Sequence, residues 1–113
     1  MNSISGIVAR KMTVGDIRQQ TDASGKPAVY RDGQPKTAMV VPLIIDGEGE
    51  ASWMVRGQAR DELARAMAEA GCAPAAMPEA GARIEVEALE PRKIPGHGSQ
   101  PVVKVTYTLP VRK

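Results

Sequence analysis

Apolar residues recur along the chain with a two-residue period in several short stretches, and with a helical period in only one. GIVARKM, residues 6–12, reads as a first strand, and the polar run TVGDIRQQTDASG after it offers no continuation. TAMVVPLIID, residues 37–46, is a clearer second strand. It sets Met39, Val41, Leu43 and Ile45 on one face and Ala38, Val40 and Ile44 on the other, so both faces are at least partly covered. Pro42 has no N–H to give a ladder, which predicts an edge or a bulge there. Asp46-Gly47-Glu48-Gly49 is a turn, and ASWMVRG then makes a third strand in a hairpin with the second.

GQARDELARAMAEAG carries the helical period. Leu63, Met67 and Ala59, Ala66 and Ala70 form a narrow apolar stripe, Asp61 and Arg65 are spaced to pair at i,i+4, and Gly71 ends the helix. After the loose CAPAAMPEAG, ARIEVEALE alternates cleanly, with Ile84, Val86 and Ala88 on one side and Arg83, Glu85 and Glu87 on the other. PRKIPGHGSQP breaks it. VVKVTYTLPV then alternates again, Val103, Val105, Tyr107 and Leu109 inward and Lys104, Thr106 and Thr108 outward. No internal repeat stands out. The order β-β-β-α-β-β predicts an all-β fold with one helix, a five-stranded OB-fold barrel, and 113 residues make one such domain.

Charge changes the picture more by its distribution than by its sum of +2. Residues 1–45 carry six Lys/Arg and three Asp/Glu, residues 46–90 four and ten, and residues 91–113 five and none. An OB-fold grips oligonucleotides across its second and third strands, framed by the loops joining strands one to two and four to five. Here those loops are SGKPAVYRDGQPK, with Lys26, Arg31 and Lys36, and PRKIPGHGSQP, with Arg92 and Lys93. Acids are few in both, so the two loops are expected to converge as a basic site.

Three stretches carry a family resemblance: Tyr30 with Asp32-Gly33-Gln34-Pro35-Lys36 before a strand, Arg56-Gly57 between a strand and the helix, and the turn Pro78-Glu79-Ala80-Gly81. In this order and spacing, over roughly residues 6–109, the chain resembles a group of small phage-encoded OB-fold single-stranded-DNA-binding proteins. The resemblance implies a non-enzymatic protein of the bacterial cytoplasm. It would bind single-stranded DNA through the backbone with weak sequence preference, during replication or recombination. The sequence ends in Val111-Arg112-Lys113, so recruitment of partners through an acidic tail, as bacterial single-strand binders use, is not expected.

Single residues sharpen or dilute this expectation. The chain has three aromatics, few for a binder that works by stacking. Tyr30, in a loop without an apolar stripe to bury it, is the best stacking candidate, with loop-pinning as the alternative. Trp53 shares a strand face with Ala51 and Val55, so the core competes with stacking for it, and Tyr107 lies on an inward stripe. Arg56 and Lys104 point outward from the third and fifth strands as candidates for phosphate contacts, with Arg10 and Lys11 weaker ones. His97 and Cys72, one of each and far apart, make no zinc spacing and no nucleophile–base pair, and GxxxxGK[ST] is absent, so no metal, cofactor or catalysis is expected. A lone cysteine suits a reducing compartment and reads as inert, and neither an apolar leader nor a membrane-length apolar run is present. Rival readings are an OB-fold module for a protein partner and an RNA binder that reads the 2′-hydroxyl. Self-association is open.

Overall fold

The second apolar run, expected to be at least partly covered on both faces, is paired on both edges and buried on its inward face, while Ile44 on the other face is 46% exposed. In the computed structural model, which describes residues 3–96 and 98–110, six strands form one antiparallel sheet: β1 (Ser3–Val8), β2 (Ile17–Gln19), β3 (Thr37–Ile45), β4 (Gly49–Val55), β5 (Arg83–Ile94) and β6 (Gly98–Thr108). A single helix, α1 (Gln58–Glu69), lies between β4 and β5. β4 pairs with one edge of β3, and β1 and β2 share the other, β1 along Leu43–Ile45 and β2 along Thr37–Met39. β5 returns to lie beside β1, which gives the Greek-key order β5-β1-β3-β4 with β6 added outside β5.

The first strand lies earlier than the apolar pattern suggested. Val8 is buried against the core, but the strand runs back to Ser3 with its polar Ser3 and Ser5 opposite Glu87 and Glu85, and it stops before Arg10. Gly6 pairs with both Ile45 and Ile84, and a Cβ there would sit 2.8 Å from the carbonyl oxygen of Ile44. Only a glycine lets β3 approach this closely. The chain then leaves the sheet through residues 9–16, including a short 3-10 turn at Val14–Asp16, and re-enters as β2. Asp16, 5% exposed, ties this excursion together by accepting a bidentate pair from Arg10 (2.8 and 3.1 Å) and the Thr13 N–H (2.8 Å). These bonds, the Arg10 guanidinium first, hold its carboxyl down from the usual 3.8 to about 2. A depressed carboxylate contributes stability that is present above its ordinary range and lost as pH falls through the folded value. Acid titration should therefore lose stability between about pH 4 and pH 2. Asp16→Asn should lower the melting temperature at neutral pH and flatten that acid limb, both readable by circular dichroism.

The core lies between the inward face of the sheet and α1. Val41, Leu43, Val55, Ile84 and Val105 are at most 1% exposed, and Leu63, Ala66 and Met67 press the helix stripe against them. Tyr107 belongs to this core, its hydroxyl accepting the Glu79 N–H at 2.9 Å, as an inward aromatic requires. The helix ends before Gly71, whose φ of +93° suits a glycine. Arg65 pairs with Glu62 and Glu69 and not with Asp61, because it leans toward β6, where it also donates to the Val105 carbonyl.

Among the described residues no ladder joins β4 to β6, so the sheet is open. The helix accounts for this at β6. Gln58 donates to the Val103 carbonyl and accepts its N–H, both at 2.9 Å, as a neighbouring strand would. Glu62 accepts the Val105 N–H at 3.4 Å and Arg65 reaches its carbonyl at 3.2 Å. Side chains of α1 thus occupy the edge that a closing strand would need.

The segment PRKIPGHGSQP, expected to be a loop, is mostly strand. β5 and β6 extend through it as a two-stranded arm, with Arg92 opposite Gln100 and Lys93 opposite Ser99. The register shifts between Leu89 and Arg92, so Pro91 falls in a bulge, where a missing N–H costs no ladder bond. Pro101 keeps the phase of Val103 and Val105, whose polar groups face away from β5, so it too breaks no bond there. His97 lies outside the described residues. No described helix is long and apolar enough to cross a membrane.

Candidate nucleic-acid interface

The connection from β2 to β3, residues 20–36, is built on three residues spaced eight apart. The Gln20 N–H donates to Lys36 O, Lys36 N–H to Ala28 O and Ala28 N–H to Gln20 O, at 2.8 to 3.0 Å. This backbone ring divides the loop into two lobes. In the first, Asp22 accepts the Ser24 and Lys26 N–H groups and the Ser24 hydroxyl. In the second, Asp32 accepts the Gln34 N–H, and Tyr30 and Gln34 are joined through the backbone. Gly25 and Gly33 turn the lobes at φ +84° and +89°, each followed by one residue and a proline. The sequence does repeat here, as Gly-Lys-Pro and Gly-Gln-Pro, over a span short enough to pass for turn composition.

The fold spends the loop's two acids on these turns and leaves its cations out. Lys26 and Arg31 are exposed, Lys36 is half-buried, and none of the three forms an ion pair among the described residues. Tyr30 is 55% exposed, and the Lys36 ammonium lies 5.3 Å from its ring centroid. The ring is outside the core, beside a cation.

The base of the loop meets the outer face of the sheet, the side away from α1, through Gln20. Alternation puts Arg18 of β2 and Arg56, just past β4, on that face with Ala38 of β3 between them. Arg56 donates to the Gln20 Oε1 at 3.0 Å, which links the strand end to the loop. On the inward side Arg60 of α1 donates to the Thr37 hydroxyl at 2.7 Å and anchors the start of β3. The next positions outward are apolar, Val40 opposite Met54, with Met54 57% exposed and Ile44 46%. Farther on the face carries Glu50, Glu85 and Glu87 with Arg83 and Lys104 among them. The face therefore runs from cations at the loop, through an apolar strip, to a mixed region of carboxylates and cations.

The sequence-named residues fall into separate groups on this map. Lys26, Tyr30, Arg31, Lys36 and Arg56 come together at the loop end. Trp53 lies on the inward side of β4, opposite Val41 and half-buried against the core, so it does not reach the outer face. Lys104 is on the outer face but opposite Glu87, in the mixed region, and among the described residues no ladder makes it a neighbour of Arg56. Arg10 is held by Asp16. The arm bearing Arg92 and Lys93 leaves from the end of the sheet where β1 begins, whereas the two-lobed loop leaves from the end where β3 begins. Consecutive strand residues face opposite ways, so Arg92 shares a face with Lys104 and Lys93 does not.

Arg18, Val40 and Met54 were not picked out from sequence. Arg18 sits in a three-residue strand inside a polar run, and Met54 stands out only once the inward phase of β4 is assigned to Trp53. Among the described residues no group of three or more His, Cys, Asp and Glu side chains is placed to hold a metal ion. No family model, curated protein or solved structure matches the chain.

Proposed function

We propose that the chain is a non-enzymatic single-stranded-DNA-binding protein of the OB-fold type, acting in the replication or recombination of phage or mobile-element DNA. The reading is carried by one observation: a two-lobed loop holds three cations that form no ion pair among the described residues, and an exposed tyrosine, and its base joins a sheet face that carries two arginines and an apolar strip. Phosphates would lie against Lys26, Arg31, Lys36, Arg18 and Arg56, and bases against Tyr30, Val40 and Met54. The strip is apolar between a cationic border and a mixed one. The anionic backbone would stay at the cationic border, away from Glu85 and Glu87. The Greek-key order with a helix after the third long strand supports the OB reading, a partly open barrel in which the same face binds oligonucleotides.

Titration of labelled oligo-dT, duplex DNA and RNA tests the assignment. Oligo-dT is expected to bind tightest, because duplex DNA cannot offer unstacked bases to the strip. Equal binding of all three would reduce the surface to a general polyanion site. Tyr30→Ala should weaken oligo-dT binding by about 1 to 3 kcal/mol if a base stacks there. Unchanged affinity in the same anisotropy assay would return Tyr30 to shaping its lobe.

A further inference from the structure

The two outermost strands of the sheet end differently. β6 is covered by Gln58, Glu62 and Arg65, whereas β4 has no such cover. The carbonyl of Pro42 accepts the Ala9 N–H, so the polar groups of Pro42 and of its alternate neighbours face β1 and β2. Those of Met39, Val41, Leu43 and Ile45 then face β4, where they engage Val55, Trp53, Ala51 and Gly49. Glu50, Ser52 and Met54 are left with their N–H and C=O groups turned outward, and among the described residues no hydrogen bond reaches them. All three residues are exposed. GEASWMV contains no proline or lysine to blunt such an edge.

We propose that β4 pairs with β4 of a second copy of this chain, antiparallel about a two-fold axis at Ser52, so that one sheet runs through a homodimer. The occupant follows from charge. The strand is preceded and begun by acids, Glu48 and Glu50, and is followed by a base, Arg56. An antiparallel self-pairing centred on Ser52 sets Arg56 of each copy opposite Glu48 of the other, twice by symmetry. The same register pairs all seven residues of the strand and makes Ser52, whose polar groups point outward, a hydrogen-bonded pair on the axis. Met54 comes to lie opposite Glu50, and Trp53 opposite Ala51. This inference rests on the sheet edge and its flanking charges and needs no nucleic acid, although it shares Arg56 with the nucleic-acid reading.

Sedimentation velocity over a wide concentration range should show a monomer–dimer equilibrium. Ser52→Cys in a Cys72→Ala background should give an inter-chain disulfide on mild oxidation, because hydrogen-bonded antiparallel partners lie about 5.5 Å apart at Cα, within disulfide reach. Ser52→Pro removes an outward N–H and no bond to β3, and should weaken the dimer roughly tenfold or more. Glu48→Arg with Glu50→Arg should also dissociate it, by setting like charges against Arg56. If Ser52→Pro fails to fold by circular dichroism, the charge-reversed variant decides. A wild-type chain that sediments as a monomer throughout, or a dimer that neither variant weakens and the cysteine does not trap, would overturn the proposal.

Discussion

Alanine at Lys26, Arg31 and Lys36 together is expected to weaken oligo-dT binding roughly a hundredfold at low salt, taking about 1 kcal/mol for each charge-assisted phosphate contact. The same variant should flatten the dependence of log affinity on log salt by about 2, from about 0.7 for each single-strand phosphate released. Base preference should not change, since phosphate contacts carry no sequence information. The fold should survive, because the lobes are closed by backbone bonds among Gln20, Ala28 and Lys36 and by the carboxylates of Asp22 and Asp32, none of which uses the substituted ammonium or guanidinium groups. Arg92→Ala with Lys93→Ala makes the instructive comparison. Had both stood in a loop of the site, the slope would flatten by about one unit or slightly more. In the arm they face opposite ways, so at most one phosphate contact, about 0.7, can be lost. Salt titrations of the two variants separate a site centred on the two-lobed loop from one spread over both ends of the sheet.

Ile84→Ala is expected to have the largest effect on stability, about 2 to 5 kcal/mol. Ile84 is fully buried, pairs with Gly6 on one side and Tyr107 on the other, and sits where β1 is held between β3 and β5. Its neighbours have little freedom to collapse into the space. Gly6 brings no side chain, and Tyr107 is fixed by its bond to the Glu79 N–H. Urea unfolding should show the midpoint fall with little change in slope. A loss under about 1 kcal/mol would mean that the sheet closes over the cavity more easily than this packing allows.

Where local pattern and tertiary environment agree, the sequence was informative. β3, β4 and the paired halves of β5 and β6 follow the alternation of Met39–Ile45, Ala51–Val55, Ile84–Ala88 and Val103–Tyr107, and α1 follows its Leu63–Ala66–Met67 stripe. The misses have physical causes. β2 is three residues of mixed polarity, held by its ladder to Thr37–Met39 and by Ile17 against the core. β1 hides its start because Ser3 and Ser5 occupy the outer phase and Gly6 blanks the inner one. The arm reads as a loop because its prolines look like breakers, until Pro91 is seen in a bulge, Pro95 in the turn and Pro101 on the edge away from β5. The open sheet could not be foreseen either, since nothing in the helix pattern says that Gln58, Glu62 and Arg65 will stand in for a strand. At the site, the cations and Tyr30 of the first loop were legible from composition. Their separation from Arg92, Lys93 and Lys104 was not, because it depends on strand direction and register.

The most direct test of the central claim is the affinity of the wild-type chain for an oligo-dT strand, measured across a salt series. About four phosphate contacts among Lys26, Arg31, Lys36, Arg18 and Arg56 should give a slope of log affinity on log salt near −3. A slope near zero, or no binding to oligo-dT at low salt, would contradict it.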